Sequence, residues 1–276
     1  TLSGNDNIIF GSGVTLTSAG NISLSALTGE ITTTGDLTLS GASNITMTGA
    51  MSGTGDISLS ASNGITLNND ISTTSGTLNI NANSSTLTLA SGVALSSAGA
   101  MTLSAGNTTS SGNLTLTSTG STISLNNALV SAGTVTMSAS TGLTLSNSTL
   151  TGAGNISLQG GSALSLASGM NITSSAGNIT LAGSSITANN GALTLSSNGS
   201  ITVSNSLSSV GALTMTANSG ITLASSVTAS GVVDLDADLN NNGAGDFTLS
   251  SGSLSTSNNA LTVTANDMTL TGTLNS

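Results

Sequence analysis

The side chains of this 276-residue chain that could ionise are ten carboxylates; Lys, Arg, His, Cys and Tyr are all absent. The densest acidic run is Asp234-Leu235-Asp236-Ala237-Asp238-Leu239-Asn240-Asn241-Asn242-Gly243, followed by Asp246. Alternating acids with Asn and Gly in a turn are the makings of a calcium loop, because Ca2+ takes carboxylate and amide oxygens from a flexible segment. The candidate ligands are Asp234, Asp236, Asp238, Asn240 and Asp246. The match is partial: an EF-hand loop carries Gly at its sixth position and a bidentate Glu at its twelfth, and neither stands here. If the segment runs on as a strand, Asp234, Asp236 and Asp238 share an outward face at steps of ~6.7 Å, too far apart for alternate acids to hold one ion tightly. A weak calcium site and a solvated acidic loop are the two readings, and no other cofactor is implied.

Catalysis has little to work with. Carboxylate pairs can hydrolyse glycosides, but Asp6, Glu30, Asp36, Asp56 and Asp70 are scattered, and no Arg or aromatic platform stands ready to hold a sugar. Ser and Thr abound, yet with no neighbouring base none is an activated nucleophile. The expectation is that the chain is not an enzyme. A net charge of −10 without a single base leaves nothing to neutralise phosphates, so nucleic acid is excluded as a partner, and attraction to anionic lipid fails for the same reason. No apolar run approaches the ~18 residues of a transmembrane segment. Without Cys there are no disulfides and no thiolate metal site.

The elements that would position these side chains are written in one phrase, Gly-(Asn, Asp or small)-aliphatic-polar-aliphatic. It occurs at Gly20-Asn21-Ile22-Ser23-Leu24, Gly35-Asp36-Leu37-Thr38-Leu39, Gly112-Asn113-Leu114-Thr115-Leu116, Gly154-Asn155-Ile156-Ser157-Leu158 and Gly177-Asn178-Ile179-Thr180-Leu181, among others. A second phrase follows about 8 residues later, as in Gly142-Leu143-Thr144-Leu145, and a weaker third apolar point about 6 residues after that. Alternation with period two marks strands of three to five residues. Three such strands every 20–21 residues mark a solenoid: an all-β chain of about 13 coils that stack at ~4.8 Å, the ordinary strand spacing. Aliphatics then point inward as ladders, with the intervening Ser, Thr and Asn pointing out. The absence of Pro suits a chain whose backbone donors are nearly all paired. Residues 1–276 read as one continuous solenoid with a loop inserted at 236–246. Residues 90–110 are irregular, and Leu193 follows Ile179 by only 14 residues, which suggests a short coil there.

Asn recurs just before strands, at Asn21, Asn113, Asn155 and Asn178. Asn closes turns and can stack into amide ladders between coils. Asn44-Ile45-Thr46 and Asn171-Ile172-Thr173 are also formal glycosylation acceptors, a pattern that falls out of the repeat itself. Thr-x-Thr triplets, such as Thr15-Leu16-Thr17, Thr134-Val135-Thr136 and Thr214-Met215-Thr216, raise an ice-binding reading, but the triplets do not share one register.

The run Ser-Ala-Gly-Thr-Val-Thr-Met-Ser-Ala at 131–139, Leu27-Thr28-Gly29-Glu30-Ile31, and Gly154-Asn155-Ile156-Ser157-Leu158 with Ala163-Leu164-Ser165-Leu166 resemble the repeats of filamentous haemagglutinin-like exoproteins. Those are bacterial adhesins secreted by the two-partner route. The resemblance spans nearly the whole chain and implies a right-handed parallel β-helix, export across an outer membrane, and a role in surface attachment or fibre formation. The expected localisation is extracellular, at the cell surface. The chain opens and closes in mid-phrase, which suggests a segment of something longer or a fibre subunit. Its expected partner is itself, end to end, laterally or by covalent continuation; the rival is an adhesin that recognises a host or surface ligand through its side face.

Overall fold

A computed structural model describes residues 1–146 and 148–275. The described residues contain short β-strands and no helix, and all neighbouring strands run parallel. One coil shows the plan. Ile22–Ala26, Ile31–Thr33 and Leu37–Gly41 form its first, second and third strands. The chain then turns back to Asn44–Met47, Met51–Gly53 and Ile57–Ala61, one layer on. Ile22 stacks on Ile45 and Ile45 on Ile65; Ile31 stacks on Met51 and Met51 on Ile71; Leu37 stacks on Ile57 and Ile57 on Leu78. Strands this short cannot stand as isolated pairs, so each coil is held by the coils on either side of it.

By its contacts the chain divides into two compact units: Thr1–Gly133 with Met137–Ser140, and Thr134–Thr136 with Thr141–Ser276. Among the described residues the first unit contributes seven first strands and the second six, thirteen coils in all. Coil length varies more than the phrase suggests. Met215 follows its partner Leu195 by 20 residues, Ile45 follows Ile22 by 23, and Leu95 follows Ile71 by 24. The coil carrying the inserted loop is the longest, with Val263 following Leu235 by 28. Nor is there a short coil at Leu193. That residue is a first-strand position, stacked on Met170 and Leu213, whereas Ile179 opens a second strand. The two look close because Ile179–Thr187 runs from the second row into the third without a corner, as Ile156–Leu166 does below it.

The interior is aliphatic: Leu37, Ile57, Leu78, Met101 and Ile123, one per coil, form a fully buried column in the first unit. At ~25 cal/mol per Å2 of apolar surface, such columns supply the main stabilising term. Not every Ser and Thr points out. Thr33, Thr73, Ser97, Ser118, Ser174 and Ser197 are buried at the ends of strands, where the chain bends. Their hydroxyls donate to the glycine carbonyls of the corners: Thr33 to Gly35 at 2.7 Å, Thr73 to Gly55 at 2.6 Å and Ser197 to Gly177 at 2.6 Å. A tight corner leaves carbonyls that no strand ladder reaches, and a buried carbonyl without a donor is costly; the inward hydroxyl is the nearest available donor. Ser174 also accepts, donating to the Gly154 carbonyl at 2.8 Å and taking the Gly177 N–H at 3.0 Å. Ser174→Ala orphans both groups and is expected to lower stability by about 1–3 kcal/mol, read as a lower denaturant midpoint at unchanged slope.

One interior site breaks the aliphatic rule. Thr108 stands between Leu87 and Leu129 in a column of the first unit, fully buried. Asn127 is buried beside it and donates through Nδ2 to Thr108 Oγ1 and to the Ala128 carbonyl, while its Oδ1 has no hydrogen-bond partner.

Candidate functional site

The polar chemistry of the chain gathers at the corners where strands begin. The residue before the first inward aliphatic of a strand reaches toward the next coil, and its side-chain oxygen accepts the backbone N–H at the same position one layer on. Asn155 Oδ1 accepts the Asn178 N–H at 2.8 Å, and Asn178 Oδ1 accepts the Ser200 N–H at 2.8 Å. Asn21 Oδ1 takes the Asn44 N–H at 3.1 Å and the Asn44 side-chain amide at 3.4 Å. Three of the scattered acids, Asp36, Asp56 and Asp70, are the same device. Asp36 Oδ1 accepts from Asp56 N at 2.9 Å, Asp56 Oδ1 from Thr77 N at 2.7 Å, and Asp70 Oδ1 from Ala94 N at 2.8 Å. At the first corner Asn7 Oδ1 holds the Glu30 N–H at 2.9 Å. A carboxylate acceptor makes these bonds charge-assisted and stronger than a neutral pair.

At several brackets a glycine in the layer above makes room for the close approach. An added Cβ at Gly177 would lie 2.6 Å from the Asn155 nitrogen, and at Gly55 it would lie 2.6 Å from the Asp36 nitrogen. At Gly133 it would meet Asn113 Oδ1 at 2.5 Å. Gly-Asx is therefore one functional unit: a residue without a side chain lets two coils approach, and the Asx beside it ties them. The structure thus places Asn21, Asn113, Asn155 and Asn178 all at exposed corners, with Asn44 one layer above Asn21 and Asn171 exposed on a strand.

The acidic segment is built differently. Val233–Asp236 is a first strand of the second unit, and Phe247–Leu249 is the next strand. Between them the loop folds around Asp238, which is only 7% exposed. Its Oδ1 accepts the Asn242 N–H at 3.1 Å and its Oδ2 the Gly243 N–H at 3.0 Å. Asp236 Oδ1 takes the Asp238 N–H at 3.2 Å, and Asn240 Oδ1 takes the Asn242 N–H at 3.3 Å. Asp234 is exposed in the strand, stacked between Thr214 and Thr262. Asp246 turns to the following coil, where its Oδ1 accepts from Asp267 N at 3.2 Å and Asn266 Nδ2 at 3.3 Å. Asp236, Asp238 and Asn240 thus organise the loop's own amides, while Asp234 and Asp246 belong to columns running along the stack. Among the described residues no three acidic side chains converge as metal ligands would. Asp238→Ala removes both anchors of the loop and is expected to cost about 1–3 kcal/mol. The check is amide exchange: the Asn242 and Gly243 protons lose protection while those of Val233–Asp236 keep it.

A family described as repeats of unknown function (DUF5649) matches residues 11–72, a stretch that includes the Asp36–Asp56 bracket and its glycines. No curated protein and no solved structure matches the chain. The match and the coil geometry together support a β-helical repeat protein. No helix among the described residues is long and apolar enough to cross a membrane.

Proposed function

We propose that this chain is a structural building block of an extracellular bacterial fibre or adhesin stalk. The observation that supports this most is the sameness of the layer contacts: a parallel in-register ladder, an inward hydroxyl at the corner, and an Asx bracket from one layer to the next. A fold whose every layer offers the next layer the same contacts extends along its axis without new chemistry, covalently or by stacking. The exterior is rich in Ser, Thr, Asn and Gly, which fits a passive role. So does the resemblance of its repeats to those of haemagglutinin-like exoproteins. The lack of any Lys or Arg removes every trypsin cleavage site, which suits exposure to secreted proteases.

The test is electron microscopy of native material labelled with an antibody against the chain. Label along uniform fibres or stalks outside the cell is the expected result. Label confined to the cell interior, or to isolated particles that never form rods, overturns the proposal.

A further inference from the structure

An Asn followed by Gly is open to attack by the glycine nitrogen on the asparagine side-chain amide, because glycine has no Cβ to block the approach. The chain holds four such pairs: Asn63-Gly64, Asn190-Gly191, Asn198-Gly199 and Asn242-Gly243. Three of them are tied into the stack. Gly64 opens a strand that is paired on both sides. The Gly191 N–H donates to the Ala188 carbonyl at 3.0 Å. The Gly199 N–H donates to the Gly177 carbonyl at 3.0 Å and to Ser197 Oγ at 3.1 Å. A carbonyl or a hydroxyl is too weak a base to take the proton that such an attack releases.

Asn242-Gly243 is placed differently. Both residues are exposed, in the acidic loop. The Gly243 N–H donates to a carboxylate, Asp238 Oδ2, at 3.0 Å. Asn242 Oδ1 in turn accepts the Ala244 N–H at 2.9 Å. That bond folds the Asn242 side chain forward along the chain, toward the peptide that contains the Gly243 nitrogen. The Asn242 N–H is held as well, by Asp238 Oδ1 at 3.1 Å and Asn240 Oδ1 at 3.3 Å. The pair therefore has a base on its nucleophile, a donor on its electrophile and an anchored backbone between them, which are the elements of a positioned acyl transfer.

We propose that Asn242-Gly243 is a self-modification site, at which Asp238 is the general base for conversion of Asn242 to aspartate and isoaspartate through a succinimide. The Gly243 nitrogen bonds to Asn242 Cγ as its proton passes to Asp238 Oδ2. Negative charge develops on Asn242 Oδ1, where the Ala244 N–H stabilises it. The Cγ–Nδ2 bond then breaks, Asp238 returns the proton, and ammonia leaves. Water opens the succinimide at either carbonyl, giving aspartate or isoaspartate. The exposure of Asn242 lets that water in. The product puts a new negative charge in a loop that already holds Asp236 and Asp238. The isoaspartate form also adds a methylene to the backbone between the two amides that Asp238 anchors. This chemistry goes beyond a stalk's mechanical role and stands or falls separately from it.

The experiment incubates freshly purified chain at neutral pH, either folded or unfolded in urea, and digests samples with a protease that cleaves before Asp. Mass spectrometry of the fragments reads the exchange of amide for acid at each Asn-Gly pair. In the folded chain Asn242 is expected to convert ahead of Asn63, Asn190 and Asn198, and about tenfold faster than it does in urea. That factor lies below the roughly 10²–10⁴ of a well-matched general base, because an amide N–H is a very weak acid. Asp238→Asn keeps an oxygen to hold the Asn242 N–H but carries no base, and is expected to remove the tenfold advantage. Conversion of Asn242 that is as fast or faster in urea overturns the proposal, because the fold then protects the pair. Faster conversion in folded Asp238→Asn also overturns it, because Asp238 then only restrains the loop. Circular dichroism confirms that the variant is folded; if it is not, the folded and unfolded rates of the unaltered chain decide alone.

Discussion

Replacing Gly76 by alanine is expected to destabilise the first unit by about 3 kcal/mol or more, whereas Gly20→Ala is expected to be neutral or slightly stabilising. Both glycines stand at corners just before a strand. A Cβ at Gly76 would land on the carbonyl of Gly55 one layer below and lie 2.6 Å from the Asp56 nitrogen. The obstacle is backbone, which cannot rotate away as a side-chain end can, so the layers must separate. That separation also pulls the Thr77 N–H from Asp56 Oδ1. Overpacking of this kind costs about 1–3 kcal/mol and occasionally more, and loss of a charge-assisted bracket adds to it. A Cβ at Gly20 meets nothing within 4 Å, so there the reduced freedom of the unfolded chain dominates and is worth about 0.4–1 kcal/mol in favour of folding. Paired denaturant titrations of the two variants make the comparison, and similar losses at both positions would contradict the role assigned to close layer approach.

Phe247→Ala is the second large effect, expected to cost about 3–5 kcal/mol. Phe247 is the bulkiest fully buried side chain, held between Ile221 and Met268 in a column otherwise filled by aliphatics. It is also the first residue ordered as strand after the acidic loop, so it re-establishes the column once the chain returns from the insertion. Truncation leaves a cavity between Ile221, fixed by its own ladder, and Met268, the last described member of the column. Phe247→Leu, which keeps most of the apolar contact, is expected to cost under about 1.5 kcal/mol. Because stability in a repeat array is a sum over neighbouring layers, the loss should be local. Amide exchange should accelerate first in Ile221–Leu223, Phe247–Leu249 and Met268–Leu270. Phe10 is the contrasting case, since it is slightly exposed and pairs with Thr33 on one side, and Phe10→Ala should cost clearly less.

The period and the strands are legible in the residues because one inward aliphatic in every two is what a half-buried strand requires. The phrase Gly20-Asn21-Ile22-Ser23-Leu24 states a corner and a strand in five letters, and the structure has a strand at Ile22–Ala26. The inserted loop is legible as well, since Leu235 and Phe247 are too far apart for adjacent strands of one coil. Which row a phrase occupies is not legible. The copies at Gly20, Gly35 and Gly112 open first, third and second strands respectively, because all three corners make the same physical demand. Asp36, Asp56 and Asp70 read as scattered acids for a related reason: their partners are backbone amides 20 to 24 residues away, and a backbone amide has no letter. The buried hydroxyls of Thr73 and Ser174 carry no sequence mark that separates them from outward Thr and Ser; only the corner they face does. In the acidic loop the spacing of ligands and the spacing of amide acceptors look alike, and Asp238 serves the second purpose.

The central claim is the parallel register between layers, and a disulfide tests it most directly because the chain has no cysteine of its own. Thr202 and Thr222 are direct partners on successive layers, at a Cα separation of ~4.8 Å, within the 4.4–6.8 Å range a disulfide spans. Thr202 and Ala224 are diagonal neighbours at about 7–8 Å, beyond that range. Oxidation of the Thr202→Cys, Thr222→Cys chain should therefore give a complete intramolecular cross-link, seen as a mobility shift that reductant reverses, while Thr202→Cys with Ala224→Cys should give none. A cross-link in the diagonal pair and not in the direct pair would contradict the stacked-coil register from which the brackets and the buried hydroxyls both follow.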